Sequence, residues 1–190
     1  MVNRTRSVAQ AGVIAAVHAA FTLAVLQMPA QLGWGPVQLR LSEALTVVAL
    51  FTPAAIPGLA LGTAIANASL VAQIGPVALL DVVFGSLATL LGAWWTWHFR
   101  NRLMVALAGP VVANALIVPA YLPVLLAALG FGQEPFLGMD PGTGWLAAYL
   151  AGVLTIAIGQ TAVIYGLGVP LAVLMRRTNV VGLLGGSDER

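Results

Sequence analysis

Apolar residues run through this chain in long, nearly unbroken stretches, without the alternation of a half-buried strand or the single apolar face of a surface helix. Such stretches predict helices that cross a lipid bilayer. They lie at Val8 to Gln27, Leu41 to Thr52, Ile56 to Ala72, Leu79 to Phe99, Leu103 to Leu129 and Trp145 to Met175. The second is short: at about 1.5 Å per residue it reaches only about 18 Å, against a hydrocarbon core of roughly 30 Å. Leu41 to Ala72 is therefore either one span with a long flank or a short helix, a turn and a full span. Pro53 and Pro57 favour the turn, because proline ends a helix and restrains the residue before it. Pro110, Pro119 and Pro123 bend the fifth stretch, and Gly152, Gly159 and Pro170 the sixth.

Charge placement chooses between the two topologies. With six crossings Arg4 and Arg6, Arg100 and Arg102, and Arg176 and Arg177 fall on one side, while the loop bearing Glu134 and Asp140 falls on the other. Arginines gather on the cytoplasmic side of membrane proteins, so the prediction is six spans with both termini cytoplasmic. The fold class expected is an all-α integral membrane protein. It is a six-transmembrane-helix bundle whose second helix is short and followed by a proline-broken turn. Residues 1–190 form a single transmembrane domain with tails of about 1–7 and 177–190.

Composition narrows the function classes. The chain is 60% hydrophobic and 7% charged, with a mean hydropathy of +0.97, whereas a soluble domain carries roughly a quarter charged residues. The net charge of +2 rests on arginines at the span ends, and these are topology signals, so nucleic acid is not a predicted partner and membrane lipid is. Cysteine is absent, which removes disulfides and thiolate chemistry. Lysine is absent as well, so no GxxxxGK[ST] phosphate loop exists here, and any ATP hydrolysis belongs to another subunit. Two isolated histidines and no GxSxG turn give no metal site, cofactor or catalytic residue, and the chain is not expected to be an enzyme.

The first stretch has a charged head and an apolar body, like a signal peptide, but its apolar run is long for one. Its small residues fall in two rows: Ala11, Ala15 and Ala19 in one, and Gly12, Ala16, Ala20 and Ala24 in the next. Residues four apart share a helix face, so the strip suits another helix packed close, either inside the bundle or on a partner. Ala11, Ala15 and Ala19 are the candidate docking row.

An ionisable group inside the hydrocarbon layer is expensive, and each one needs a partner or a role. In the six-span topology Arg40, Glu43, Asp81 and the Asn67 end of the third span converge toward the outer side, which makes them the candidate substrate site. Arg40 and Glu43 are three residues apart and also suited to pair with each other. Asp81 has no charged neighbour in sequence, so a ligand or a distant partner must account for it. Asn114 and Gln160 lie deeper, where amides either bind or tie helices together. Trp34 and Trp145 fall on the same side and are candidates for stacking on a ring. The other tryptophans suit the interfacial belt.

The stretch RLSEALTVVALFTPAAIPGLALGTAIAN (Arg40 to Asn67), with LLDVVFGSLATLLGA (Leu79 to Ala93) and GPVVANALIVPAY (Gly109 to Tyr121), resembles the QueT family of queuosine-precursor transporters. These are substrate-binding S components of energy-coupling-factor (ECF) transporters in prokaryotic plasma membranes. The resemblance implies a six-helix S component that captures a 7-deazaguanine, such as queuine or a biosynthetic intermediate. Its partners would be a transmembrane coupling subunit and two ATPase subunits, with the small-residue strip of the first helix as docking surface. At Gly159-Gln160 the chain departs from the family pattern, which carries an acid after the glycine, so no charged role passes to Gln160.

A 7-deazaguanine offers a ring N–H and an exocyclic amine that one carboxylate accepts together, and a carbonyl oxygen that needs a donor. Glu43 or Asp81 suits the first task, and Asn67 or Asn114 the second. The amine of queuine or of its aminomethyl precursor gives the other acid a role. The competing reading is a stand-alone secondary carrier or channel in which Glu43 and Asp81 bind a coupling ion. A small structural membrane protein is the third.

Overall fold

The computed structural model describes residues 4–26, 40–130, 144–178 and 182, and the described residues are helical with no strand. Helix α1 spans Arg4–Leu26 and α2 is a 3-10 helix over Leu41–Leu50. Helix α3 spans Ala55–Ala68 and continues through single turns to Ala78. A wide π turn, Asp81–Gly85, leads into α4, Ser86–His98. Helix α5 is Leu103–Ile117 and α6 is Leu122–Ala128, joined by a 3-10 turn. Helix α7, Trp145–Val163, passes through a second π turn, Ile164–Gly168, into α8, Val169–Arg177. Four segments have the length and apolarity to cross a membrane: Arg4–Leu26, Ala55–Ala78, Leu103–Ala120 and Trp145–Arg177.

The exterior is apolar and the interior holds the polar groups, the reverse of a soluble fold. Leu146, Leu150, Leu154 and Ile158 form an exposed row along α7, while His18, Glu43, Asn67, Asp81, Asn114 and Gln160 are buried. With lipid outside, an exposed leucine is in its preferred medium, and polar side chains are stable only where other protein groups meet them. Helix α2 shows the arrangement most plainly. Thr46, Val47 and Ala49 have no exposed surface, and the helix, about 20 Å long at 2 Å per residue, runs inside the bundle.

The two ends of the bundle differ in kind. At one, Phe51, Phe99 and Leu103 pack with Leu50 and Met175. Arg100 lies 4.0 Å from the Trp97 ring centroid and Arg176 5.9 Å from that of Phe51. Gln10 meets Thr52 there as well, which brings the start of α1 to this end. The arginine pairs that the sequence analysis put on one side therefore share one end of the bundle. The other end collects Arg40, Asn67, Asp81, Asn114 and Tyr121.

Several expectations need correction. Pro57 sits in the first turn of α3, where its missing N–H is harmless, so the connection after α2 carries only Pro53. The stretch Leu103 to Leu129 is two helices with a 3-10 break at Val118–Ala120. The row Ala11, Ala15 and Ala19 does not face outward. Ala15 and Ala19 are 3% and 6% exposed. A Cβ added at Gly58 would lie 2.8 Å from the Ala11 carbonyl, and one at Gly62 would lie 2.7 Å from that of Ala15. These two glycines let α3 close on the alanine row, which serves packing inside the bundle. The row open to the surroundings is Gly12, Ala16, Ala20 and Ala24.

Candidate functional site

Five elements place polar side chains at the end opposite the arginine pairs. Arg40 precedes α2 and Glu43 lies in its first turn. Asn67 ends α3, Asp81 opens the π turn, Asn114 lies in the last turns of α5, and Tyr121 precedes α6. Sequence reasoning named the first five of these residues. It gave no role to Tyr121.

Asp81 has its partners supplied by the fold. The Tyr121 hydroxyl donates to Asp81 Oδ1 at 2.7 Å, and the Asn67 side-chain amide donates to the Asp81 carbonyl oxygen at 2.9 Å. The π turn makes room for this arrangement: a Cβ on Gly85 would stand 2.7 Å from Asp81 Oδ1 and 3.0 Å from Asn67 Nδ2. A widened turn of this type recurs where a helix must aim a side chain that regular winding would misdirect. Asn67 thus ties helices together at this spot, as a buried amide in a membrane bundle often does.

Glu43 is differently placed. It is 1% exposed, and Thr89 Oγ1 donates to Glu43 Oε1 over a long 3.5 Å. Glu43 Oε2 has no hydrogen-bond partner. Arg40 does not clasp its helix neighbour; its Nη1 donates to Asn114 Oδ1 at 3.3 Å, and its charge acts through space on Asp81 and Glu43. The Asn114 amide donates to the Pro110 carbonyl at 3.0 Å and lies within reach of the Glu43 carboxylate. Arg40, Glu43 and Asn114 form one cluster with a carboxylate oxygen left open.

Gln160 belongs at the same level. Gly168 lies directly against Val47 and Arg176 reaches Phe51, so α7 and α8 run parallel to α2. Gln160 lies about 12 Å before Gly168 at the α-helical rise, toward the level at which α2 begins. It is 1% exposed, and neither atom of its amide has a partner. Buried polar groups are almost always satisfied, so an open carboxylate oxygen and an open amide mark where added polar groups gain most.

Trp145 is not drawn into this cluster. It is 60% exposed, stacks on Tyr149 with centroids 5.2 Å apart, and donates its indole N–H to the Ala120 carbonyl at 3.5 Å. Trp34 lies outside the described residues, as does the loop with Glu134 and Asp140. Sequence reasoning also missed Thr63 and Thr89, buried threonines that hydrogen bond to each other at 3.2 Å. Their spacing from Asn67 and Gly85, four residues each, was the available signal. Among the described residues no group of three metal-ligating side chains comes together.

No curated protein and no solved structure matched the chain. The model of the QueT transporter family matched residues 8–177, which takes in every cluster residue described above. An apolar exterior, helices able to cross a bilayer and a buried polar cluster agree with that match, and the chain belongs to the QueT transporter family.

Proposed function

We propose that this protein is the substrate-capturing S component of an ECF-type importer and that its cargo is a 7-deazaguanine, queuine or one of its precursors. The observation that carries the reading is Glu43, a buried carboxylate with one oxygen unpartnered in a chain of the QueT transporter family. The guanine-like edge offers two adjacent donors to the open Glu43 oxygen, whose two lone pairs can accept both, and its carbonyl oxygen finds donors in Arg40 and the Asn114 or Gln160 amide. Asp81 then meets the amine of a cationic precursor, with Asn67 and Tyr121 holding it.

In this reading the chain crosses a prokaryotic plasma membrane six times, α2 being the short inner crossing. Both termini and the arginine pairs are cytoplasmic and the Glu43 end opens outward. A transmembrane coupling subunit and two ATPase subunits complete the importer, since the chain has no lysine for a phosphate loop. Docking passes to the outward row Gly12, Ala16, Ala20 and Ala24, because α3 covers the neighbouring alanines.

Titration calorimetry on the purified protein with queuine, its nitrile and aminomethyl precursors, and guanine tests the cargo. Tight binding of the 7-deazaguanines is expected, and failure of all three to bind overturns it. Vesicles test the class: the chain alone should not accumulate ligand, and concentrative uptake without ATPases would establish the secondary carrier instead. Ala16→Trp should abolish uptake by the full complex while ligand still binds, whereas Ala15→Trp should disturb the α1–α3 contact and the fold itself.

A further inference from the structure

A line of buried side chains leads from α1 to the Glu43 carboxylate and crosses three helix contacts on the way. His18 Nε2 lies 3.1 Å from Thr63 Oγ1, Thr63 Oγ1 donates to Thr89 Oγ1 at 3.2 Å, and Thr89 Oγ1 reaches Glu43 Oε1 at 3.5 Å. All four residues are at most 1% exposed, so bulk solvent does not reach these bonds. A chain of this kind is a poor way to fasten helices that already pack through glycine and alanine. We infer that His18, Thr63 and Thr89 are positioning residues that form a directed donor line ending on Glu43 Oε1. The line holds that oxygen inside the protein and leaves Oε2 as the oxygen that accepts from the ligand.

The direction follows from which atoms are left over. His18 Nδ1 has no partner. If the neutral ring carries its proton on Nε2, Nδ1 is a bare acceptor; if the proton sits on Nδ1, the protein buries an N–H with nothing to receive it. Orphaned buried donors are the rarer of the two. With Nε2–H donating to Thr63, the Thr63 proton goes to Thr89 and the Thr89 proton to Glu43. Each hydroxyl also has a peptide carbonyl near it, Leu59 for Thr63 at 3.0 Å and Gly85 for Thr89 at 3.1 Å. With Glu43 ionised, its carboxylate is a stronger acceptor than the nearer Gly85 carbonyl, so the Thr89 proton then favours Glu43 and the hydroxyl freed upstream aligns behind it.

The role given to Oε2 rests on the cargo reading above, whereas the line itself does not, and the experiment separates them. Nitrogen-15 NMR of labelled histidine in the detergent-solubilised full chain, with His98→Gln to assign the signals, should show His18 as the neutral Nε2–H tautomer. Its shift should change in Thr89→Val and in Glu43→Gln, two and three bonds away. An Nδ1–H tautomer, or a shift indifferent to both variants, overturns the line. In binding, Thr89→Val should weaken a 7-deazaguanine by about 10- to 100-fold, the range for a hydrogen bond to a charged group. Thr89→Ser should restore it, and the loss should vanish in the Glu43→Gln background. A Thr89→Val loss that persists there makes the threonine a packing residue and overturns the positioning role. Coupled shifts in a protein that binds no 7-deazaguanine support the line and remove the cargo.

Discussion

Asp81 receives the Tyr121 hydroxyl at 2.7 Å, and the Asn67 amide caps its backbone carbonyl at 2.9 Å. Glu43, buried at the same end, has one long bond from Thr89, the Asn114 amide within reach, and an oxygen with no partner at hydrogen-bond distance. The two acids would look alike in any inventory of intramembrane charges. A buried carboxylate that already holds a short hydrogen bond from the fold stabilises the arrangement around it, while one with a fully buried open oxygen stores interaction free energy that only an incoming donor can recover. In the proposed reading the Asp81 half of the site is scaffold with a charge to offer, and the Glu43 half is the reader.

The strongest way to break this contrast is Glu43→Gln set against Asp81→Asn, variants that keep shape and remove charge. Glu43→Gln should weaken both the neutral nitrile precursor and the cationic aminomethyl precursor by about 2 to 4 kcal/mol, or roughly 30- to 1,000-fold. Asp81→Asn should matter chiefly for the cationic one. Calorimetry with both ligands decides it: equal losses with the neutral ligand would erase the distinction between the halves.

Which polar residues would gather was largely legible, because lipid makes polar side chains scarce. Arg40, Glu43, Asp81, Asn67 and Asn114 stood out against their surroundings, and the structure brings them to one end. What those residues do to each other was not legible. Asp81 finds its partner in Tyr121, forty positions away in the chain, and no local spacing announces such a contact. Threonines such as Thr63 and Thr89 share a helix face with Asn67 and Gly85, but their contact with each other is set only once the neighbouring helix is in place. The π turns at Asp81–Gly85 and Ile164–Gly168 leave no pattern in hydrophobicity.

The error on α1 has a plain cause. Two adjacent rows are both small, about 100° apart around the helix axis, so the sequence of α1 alone does not say which one faces inward. The deciding residues are Gly58 and Gly62, spaced four apart on α3, which create the groove that accepts Ala11 and Ala15.

Tyr121→Phe sharpens the comparison from the other side. It removes the donor to Asp81 Oδ1 and should destabilise the protein by about 1.5 to 3 kcal/mol, the range for a hydrogen bond to a charged group. Thermal unfolding should register the change even without ligand, and the loss should shrink when Asp81→Asn is already present. The corresponding loss around Glu43, through Thr89→Val, should appear mainly in binding. Stability changes of equal size in both halves would mean that Glu43 is as much scaffold as Asp81.

Gly85→Ala tests whether space or charge sets the Asp81 side. The added methyl would meet Asp81 Oδ1 and Asn67 Nδ2 inside contact distance, and overpacking of this kind costs about 1 to 3 kcal/mol. Since both groups it touches belong to the satisfied half, affinity for the cationic precursor should fall more than affinity for the nitrile. A uniform loss across ligands would show that the π turn carries the whole site.

The smallest effect is expected at Trp145. Its indole lies mostly in the open, stacked on Tyr149, and its N–H reaches the Ala120 carbonyl, one residue before Tyr121. That contact makes it an outer prop of the Asp81 half, at one remove from any charged group. Exposed substitutions that disturb no buried partner usually change free energies by within about 0.5 kcal/mol, or roughly twofold. Trp145→Leu, which keeps an apolar surface toward lipid, should therefore leave the affinity of both precursors nearly unchanged and lower the melting temperature less than Tyr121→Phe does. A large loss with every ligand would instead mean that the indole stacks on the bound base. The reading half of the site would then extend from Glu43 across to α7, and Trp145 would join it as a ligand contact.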